Sequence, residues 1–215
     1  TETLNDGVIT DEVMVNEYYR KMLIECRSME RLVGDLFILS KMQNPDFKIE
    51  KEPVSIRQVF GDVLRSAREI ARKKNITITQ KLSVDDEEPC MILGDYERLR
   101  QMFMIIIDNA VKFSYESGEI IISIEKRITP KKQVKIYVSI QDFGVGISKE
   151  ALPYIFEKFY KSKLKQNQKG TGLGLMIAKQ IALRHGCDIM VESEIEQGTK
   201  FSFEFEECVS MDEYE

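Results

Sequence analysis

The chain has 215 residues, 43% of them hydrophobic and 31% charged, which suits an ordinary water-soluble protein with one core, or one core plus a helical appendage. A net charge of -5 and a pI near 5.3 argue against a broad polyanion-binding surface, so no nucleic-acid partner is expected. The longest purely apolar run, Met102 to Ile107, is far too short to cross a bilayer, so a membrane anchor is expected only outside these residues, which should be cytoplasmic.

In chain order, Val15, Tyr19, Met22, Cys26, Met29, Val33 and Leu36 alternate in steps of four and three, the seam of a heptad helix widened by Tyr18, Leu32 and Leu39. The same pattern also suits a long amphipathic helix lying on its own domain. Asn44-Pro45-Asp46 should end it, because proline lacks an N–H donor and disfavours a helical predecessor. The domain boundary is therefore expected between Gln43 and Pro53, with residues 1–45 as a helical unit and 46–215 as a second domain.

Ser55 should cap a helix to about Lys74 that sets Ile56, Val59, Phe60, Val63, Leu64, Ala67 and Ile70 on one face. Strand-like alternation follows from Ile76 to Val84, then a helix from Tyr96 to about Phe113. Ile120–Ile128 and Val134–Gln141 flank Thr129-Pro130-Lys131-Lys132 and should form a hairpin. A third helix is expected from near Gly172, and two strands, Asp188–Ser193 and Lys200–Phe205, should meet across Glu196-Gln197-Gly198. Strands and helices without regular alternation indicate an α+β fold, a two-layer sandwich with helices on one face of a mixed sheet.

Two stretches carry chemistry. In Gln141-Asp142-Phe143-Gly144-Val145-Gly146-Ile147 a carboxylate precedes two spaced glycines, so backbone can approach a flat ligand while the acid accepts from an amino edge. Alone this also describes a strand ending in a tight glycine turn. Gly170-Thr171-Gly172-Leu173-Gly174-Leu175 then places three glycines at a helix start, where backbone N–H groups and the positive helix end suit phosphates. It lacks the lysine and spacing of a G-x-x-x-x-G-K-[ST] loop, and no strand leads into it as a dinucleotide fold requires. Between the two, Lys158 to Lys169 holds five lysines and no acid, whereas Glu204 to Glu215 holds six acids and no base, a solvated end.

Together with their surroundings these stretches resemble the ATP-binding domain of sensor histidine kinases. Asp142 to Ile147 resembles the G1 box, Ile155-Phe156-Glu157-Lys158-Phe159-Tyr160 the F box, Gly170 to Leu175 the G2 box, and Asp108-Asn109-Ala110-Val111-Lys112-Phe113 the N box. The four stand in the family's order and separation. Gly94 to Met102 resembles the lead-in to the N box, His185-Gly186 through Gly198-Thr199 the closing strands, and Val13 to Met42 the second helix of the dimerisation and phosphotransfer hairpin. The resemblance implies a Bergerat-type fold preceded by a long dimerisation helix. It also implies transfer of the ATP γ-phosphate to a histidine, for relay to the receiver domain of a response regulator, in a homodimer built on the helical hairpin.

It further implies residue roles. Asp142 would accept from the adenine amino group, with Gly144 and Gly146 letting the base lie against backbone, and Ile147 and Thr199 would be further nucleotide-binding positions. Asn109 would help hold Mg2+, and Lys112 would reach the phosphates. Gly170, Thr171, Gly172, Leu173, Gly174 and Leu175 would cradle the phosphate chain. Phe156 and Tyr160 belong to the F box, and the lysine run becomes a lid in which Lys158 or Lys161 is the best cation for the γ-phosphate.

Three features bound that reading. The acceptor histidine of the family precedes sequence resembling Thr1 to Gly7, so it is expected upstream of Thr1; the single histidine, His185, reads as a helix terminator. Ile105 stands one turn before Asn109, where the family usually carries another Asn and the related hydrolytic ATPases a water-activating Glu. It is expected either to face the phosphates or to point into the core beside Met102 and Ile106. Cys26, Cys90, Cys187 and Cys208 are far apart without zinc spacing and should be reduced thiols. An ATP hydrolase, or a nucleotide-sensing module that docks a response regulator, remain the competing readings.

Overall fold

A computed structural model describes residues 11–44, 47–82, 90–130, 132–162 and 170–208. The expectations for Thr1 to Gly7, Pro45, Asp46, Val84, Lys131, the lysines 163, 165 and 169, and the tail beyond residue 208 lie outside them.

Helix α1 spans Glu12–Gln43, and the Asp11 side chain caps it by accepting from the N–H groups of Val13 and Met14. The heptad seam is not covered: Tyr19, Met29, Val33 and Leu36 are exposed, and only Leu39 and Met42, at the far end, are buried. Arg184 holds that end by donating to the carbonyls of Met42 at 2.6 Å, Phe47 at 2.7 Å and Asn44 at 2.8 Å. The helix stops before Asn44, as proline chemistry requires.

The remainder comprises β1 (Glu52–Ser55), α2 (Ile56–Arg72), β2 (Thr77–Leu82), β3 (Met91–Gly94), α3 (Tyr96–Phe113), β4 (Glu119–Ile128), β5 (Val134–Asp142), α4 (Gly174–Arg184), β6 (Ile189–Glu194) and β7 (Gly198–Glu206). Five strands form one mixed sheet in the order β2-β4-β5-β7-β6, with β2 parallel to β4 and every other pair antiparallel. The expected β4–β5 hairpin closes with Ile128 opposite Val134. The third helix starts at Gly174, two residues later than expected, which leaves Gly170 to Leu173 as a loop.

Because side chains alternate along a strand, Ile120, Ile122 and Ile124 of β4, Ile136, Val138 and Ile140 of β5, and Phe201, Phe203 and Phe205 of β7 share the face that α2, α3 and α4 cover. Phe103 of α3 stands at the centre, with ring centroids 4.4 Å from Phe60 of α2 and 5.3 Å from Phe203. Truncating such a ring costs about 3–5 kcal/mol. Strands β1 and β3 were not foreseen. They form a separate two-stranded antiparallel sheet of four residues each, in which only Val54, Ile92 and Gly94 are buried, too few to print a period on the sequence.

Candidate functional site

The helix-facing row of the sheet ends in polar residues. Asp142 is the cross-strand partner of Thr199, and Thr199 that of Ser193, so all three side chains lie side by side on one face across β5, β7 and β6. Asp142 is 3% exposed. Burial pushes its carboxyl up to about 6, although backbone N–H groups of Gly144 and Thr199 donate to it and favour the charged form. The Gly144 N–H lies 2.9 Å from Oδ1.

The turn after β5 is locked on two sides. Val145 N–H donates to the Phe113 carbonyl at the end of α3, and Ile147 N–H donates to Ser193 Oγ, 2.9 Å away. The two glycines are explained by protein contacts as much as by any ligand. A Cβ on Gly144 would lie 2.1 Å from the Phe113 oxygen, and one on Gly146, at φ +66, would lie 1.9 Å from the Glu194 oxygen.

Helix α3 supplies the opposite wall. Asn109 and Lys112 share its half-buried side, and Ile105, also half-buried, packs against Gly174, where a Cβ would be 3.3 Å from Ile105 Cγ2. Ile105 thus faces the start of α4, unlike Met102 and Ile106, which are fully buried. The end of α3 is held by a residue not foreseen from the sequence: Lys74 Nζ donates to the carbonyls of Lys112 at 2.7 Å and Val111 at 3.0 Å. Those are orphan acceptors of a last helical turn, where a cation also suits the dipole. Lys74→Met should therefore cost about 2 kcal/mol, read as a loss of roughly 4–8 °C in melting temperature.

Burial holds the Lys112 ammonium below its usual range; Asp108 opposes the shift, and Lys161 and Arg31 add to it. Lys112, Lys161 and Arg31 therefore form one cationic neighbourhood. Lys158 instead donates to Gln43 of α1 at 3.2 Å, so of the two lysines considered it is Lys161 that stands near Lys112. Across from them, α4 begins at Gly174, and among the described residues no side chain caps its first N–H groups. Thr171 Oγ1 donates to Asp35 of α1 at 2.8 Å, and Phe159 N–H donates to the Gly172 carbonyl at 2.9 Å, tying the two boxes and α1 together. Leu173 is fully buried, which confines its part to backbone, and Leu175 is half-buried.

The F-box rings are engaged nearby. Lys179 Nζ lies 5.0 Å from the Phe156 ring centroid, and Tyr160 stacks on Tyr154 at 6.5 Å. An open groove of about 700 Å³ runs along α3 between Asp95 and Asp108, lined also by Gln101 and Ile105, and does not reach Asp142.

His185 does end α4, and its ring does more. Nδ1 bonds the Ile181 carbonyl at 2.7 Å, so Nε2 is the acceptor for the Asp95 N–H at 3.0 Å, pinning the end of α4 to the start of α3. Burial holds its pKa below the usual value, favouring the neutral ring that this geometry needs. Among the described residues the four cysteines are free, no cluster of His, Cys, Asp and Glu could hold a metal alone, and no helix is long and apolar enough to cross a membrane.

The family model described as "Histidine kinase-, DNA gyrase B-, and HSP90-like ATPase" matches residues 94–208. The sensor histidine kinase YkoH of Bacillus subtilis is 30% identical over 185 residues, covering 85% of this chain and 38% of YkoH. Full-length ShkA in complex with AMPPNP superposes with a TM-score of 0.72 at 27% identity, over 90% of this chain and 40% of that one. The catalytic domain of the histidine kinase ThkA does so with a TM-score of 0.62 at 29% identity, over 74% of this chain and 97% of that domain. The chain thus spans less than half the length of the curated relatives it matches.

Proposed function

Since the chain belongs to the histidine kinase-, DNA gyrase B- and HSP90-like ATPase family, we propose that it is the ATP-binding catalytic part of a sensor histidine kinase, passing the γ-phosphoryl group to a histidine for relay to a response regulator. The observation that carries this reading is the pairing of two unlike ends around α3. One end is dry and acceptor-rich, with Asp142 and Thr199 for the adenine amino edge. The other is cationic and rich in backbone N–H, with Lys112, Lys161 and the uncapped start of α4 for phosphates.

Phosphoryl transfer asks chiefly for positioning and charge neutralisation, which these groups can supply. Asn109 offers one amide oxygen beside the phosphate end, a donor set that fits a magnesium ion held mostly by nucleotide oxygens and water. Such an ion would supply further charge neutralisation when bound. We assign residues 1–45 to the phosphotransfer hairpin and 46–215 to the catalytic domain, and the exposed seam of α1 fits a helical partner in a homodimer. A hydrolase is disfavoured because Ile105, against Gly174, can neither polarise water nor bind metal.

Magnesium ATP at a hundredfold excess over Kd should raise stability by about 2.7 kcal/mol, a melting shift of roughly 5–10 °C for a chain of this size. Labelled ATP offered with a hairpin carrying the acceptor histidine should give acid-labile label on that histidine. No melting shift at millimolar nucleotide would overturn nucleotide binding. Release of phosphate without label on the histidine would overturn the kinase assignment in favour of hydrolysis.

A further inference from the structure

Ser193 has no part in the reading so far, yet every hydrogen-bonding capacity of its hydroxyl is used at the acceptor end of the site. Oγ lies 2.7 Å from the Gly198 carbonyl, 2.9 Å from Ile147 N and 2.9 Å from Thr199 Oγ1. A carbonyl can only accept, so the single Ser193 proton goes to Gly198. An amide N–H can only donate, so Ile147 takes one Ser193 lone pair, and the other remains for Thr199. The Thr199 hydroxyl must then be the donor in its bond to Ser193. With its one proton spent, Thr199 Oγ1 has nothing but lone pairs to offer anything else.

We propose that Ser193 is a specificity-determining residue for the nucleotide base: by consuming the Thr199 proton it makes Thr199 an acceptor beside the Asp142 carboxylate. The proposal rests on the adenine-nucleotide reading above. Asp142, Thr199 and Ser193 are consecutive cross-strand partners, so the two acceptors stand next to each other on one face. The 6-amino group of adenine carries two N–H donors and suits such a pair. The 6-oxo group of guanine brings lone pairs to the same place and is repelled. Discrimination of this kind is strong because a mismatched group in a buried polar site is left unpaired.

The test is the ratio of ATP to GTP affinity, measured by calorimetry on the full chain, because loss of overall affinity cancels in a ratio. In Ser193→Ala the Thr199 hydroxyl can turn its proton towards a 6-oxo group, and the preference for ATP should fall by about tenfold, the effect of roughly one hydrogen bond. Ser193→Thr keeps the hydroxyl and should keep the preference. In a Thr199→Val background, Ser193→Ala should change the ratio by less than about twofold, since the group it acts through is gone. Should the alanine variant not fold, Ser193→Cys, with a weak donor and acceptor of similar size, should give the same relaxation.

An unchanged ratio in a folded Ser193→Ala or Ser193→Cys variant overturns the proposal. So does a relaxation that persists undiminished without the Thr199 hydroxyl, which would trace it to the Ile147 bond and the turn. A parent chain that binds no ATP overturns the adenine reading itself, and the role of Ser193 with it.

Discussion

Adenine nucleotide affinity should fall about tenfold between roughly pH 7.5 and pH 5, and about a hundredfold in Asp142→Asn at neutral pH. Burial lifts the Asp142 carboxyl to about 6. Only the ionised form is an acceptor on both oxygens, able to keep the Gly144 and Thr199 N–H bonds and still take an amino proton. Roughly one molecule in ten carries it at pH 5, which gives the tenfold loss. An asparagine replaces one acceptor by a donor that opposes the adenine amino group, and the lost hydrogen bond was to a charged group, the stronger kind.

The nucleotide-free protein should respond in the opposite sense. In the unfolded chain this carboxyl ionises near its ordinary 3.8, whereas folded it holds its proton to about 6. Between those values the native state binds the extra proton, so stability falls as pH rises, by about 3 kcal/mol in all, and the penalty persists above the window. Asp142→Asn removes the buried charge that causes it. The free variant should therefore melt no lower than the parent at pH 7.5 while losing the nucleotide-induced shift. Titrations and melts on both proteins across the range check this, and a variant that binds ATP as the parent does would place the base acceptor elsewhere.

The parts of this molecule that a sequence reader can see are those in which the chain's own period or backbone does the work. Helix α2 shows a broad apolar stripe from Ile56 to Ile70, and Gly144, Gly146 and Gly172 sit where a Cβ would run into backbone, so both were legible. Less legible were features joining residues far apart in the chain. Lys74 on the carbonyls of α3, Ser193 under Ile147, His185 on the Asp95 N–H and Asp35 on Thr171 each depend on where folding brings an unremarkable polar residue. Helix α1 illustrates the same limit. Its seam is plain, but which stretch rests on the α+β body is decided by Leu39, Met42 and the Arg184 clamp, not by the heptad. Lys158 and Lys161 are alike as sequence, and only the fold sends one to Gln43 and the other towards Lys112.

Outside the acceptor row, Gly146→Ala should have a large effect on both stability and binding, and Gly186→Ala is its control. Both residues have positive φ, +66 and +71, so alanine at either pays the left-handed penalty of about 1–2 kcal/mol. Their surroundings differ. A Cβ at Gly186 meets nothing within 4 Å, whereas one at Gly146 would sit 1.9 Å from the Glu194 carbonyl oxygen and 3.1 Å from Ile195 Cα. Both are backbone atoms at the end of β6, so no side-chain rotation relieves the contact. The turn must move, and it carries the Val145 bond to Phe113 and the Ile147 bond to Ser193 with it. Gly186→Ala should lower the melting temperature by roughly 2–8 °C and leave ATP affinity within about twofold. Gly146→Ala should lose about 3 kcal/mol or more of stability and at least about tenfold in ATP affinity, because the wall of the base site is displaced. Melts and calorimetry on the pair separate the two contributions. Equal losses would mean that the left-handed penalty alone matters and that the turn does not need its close seat on β6.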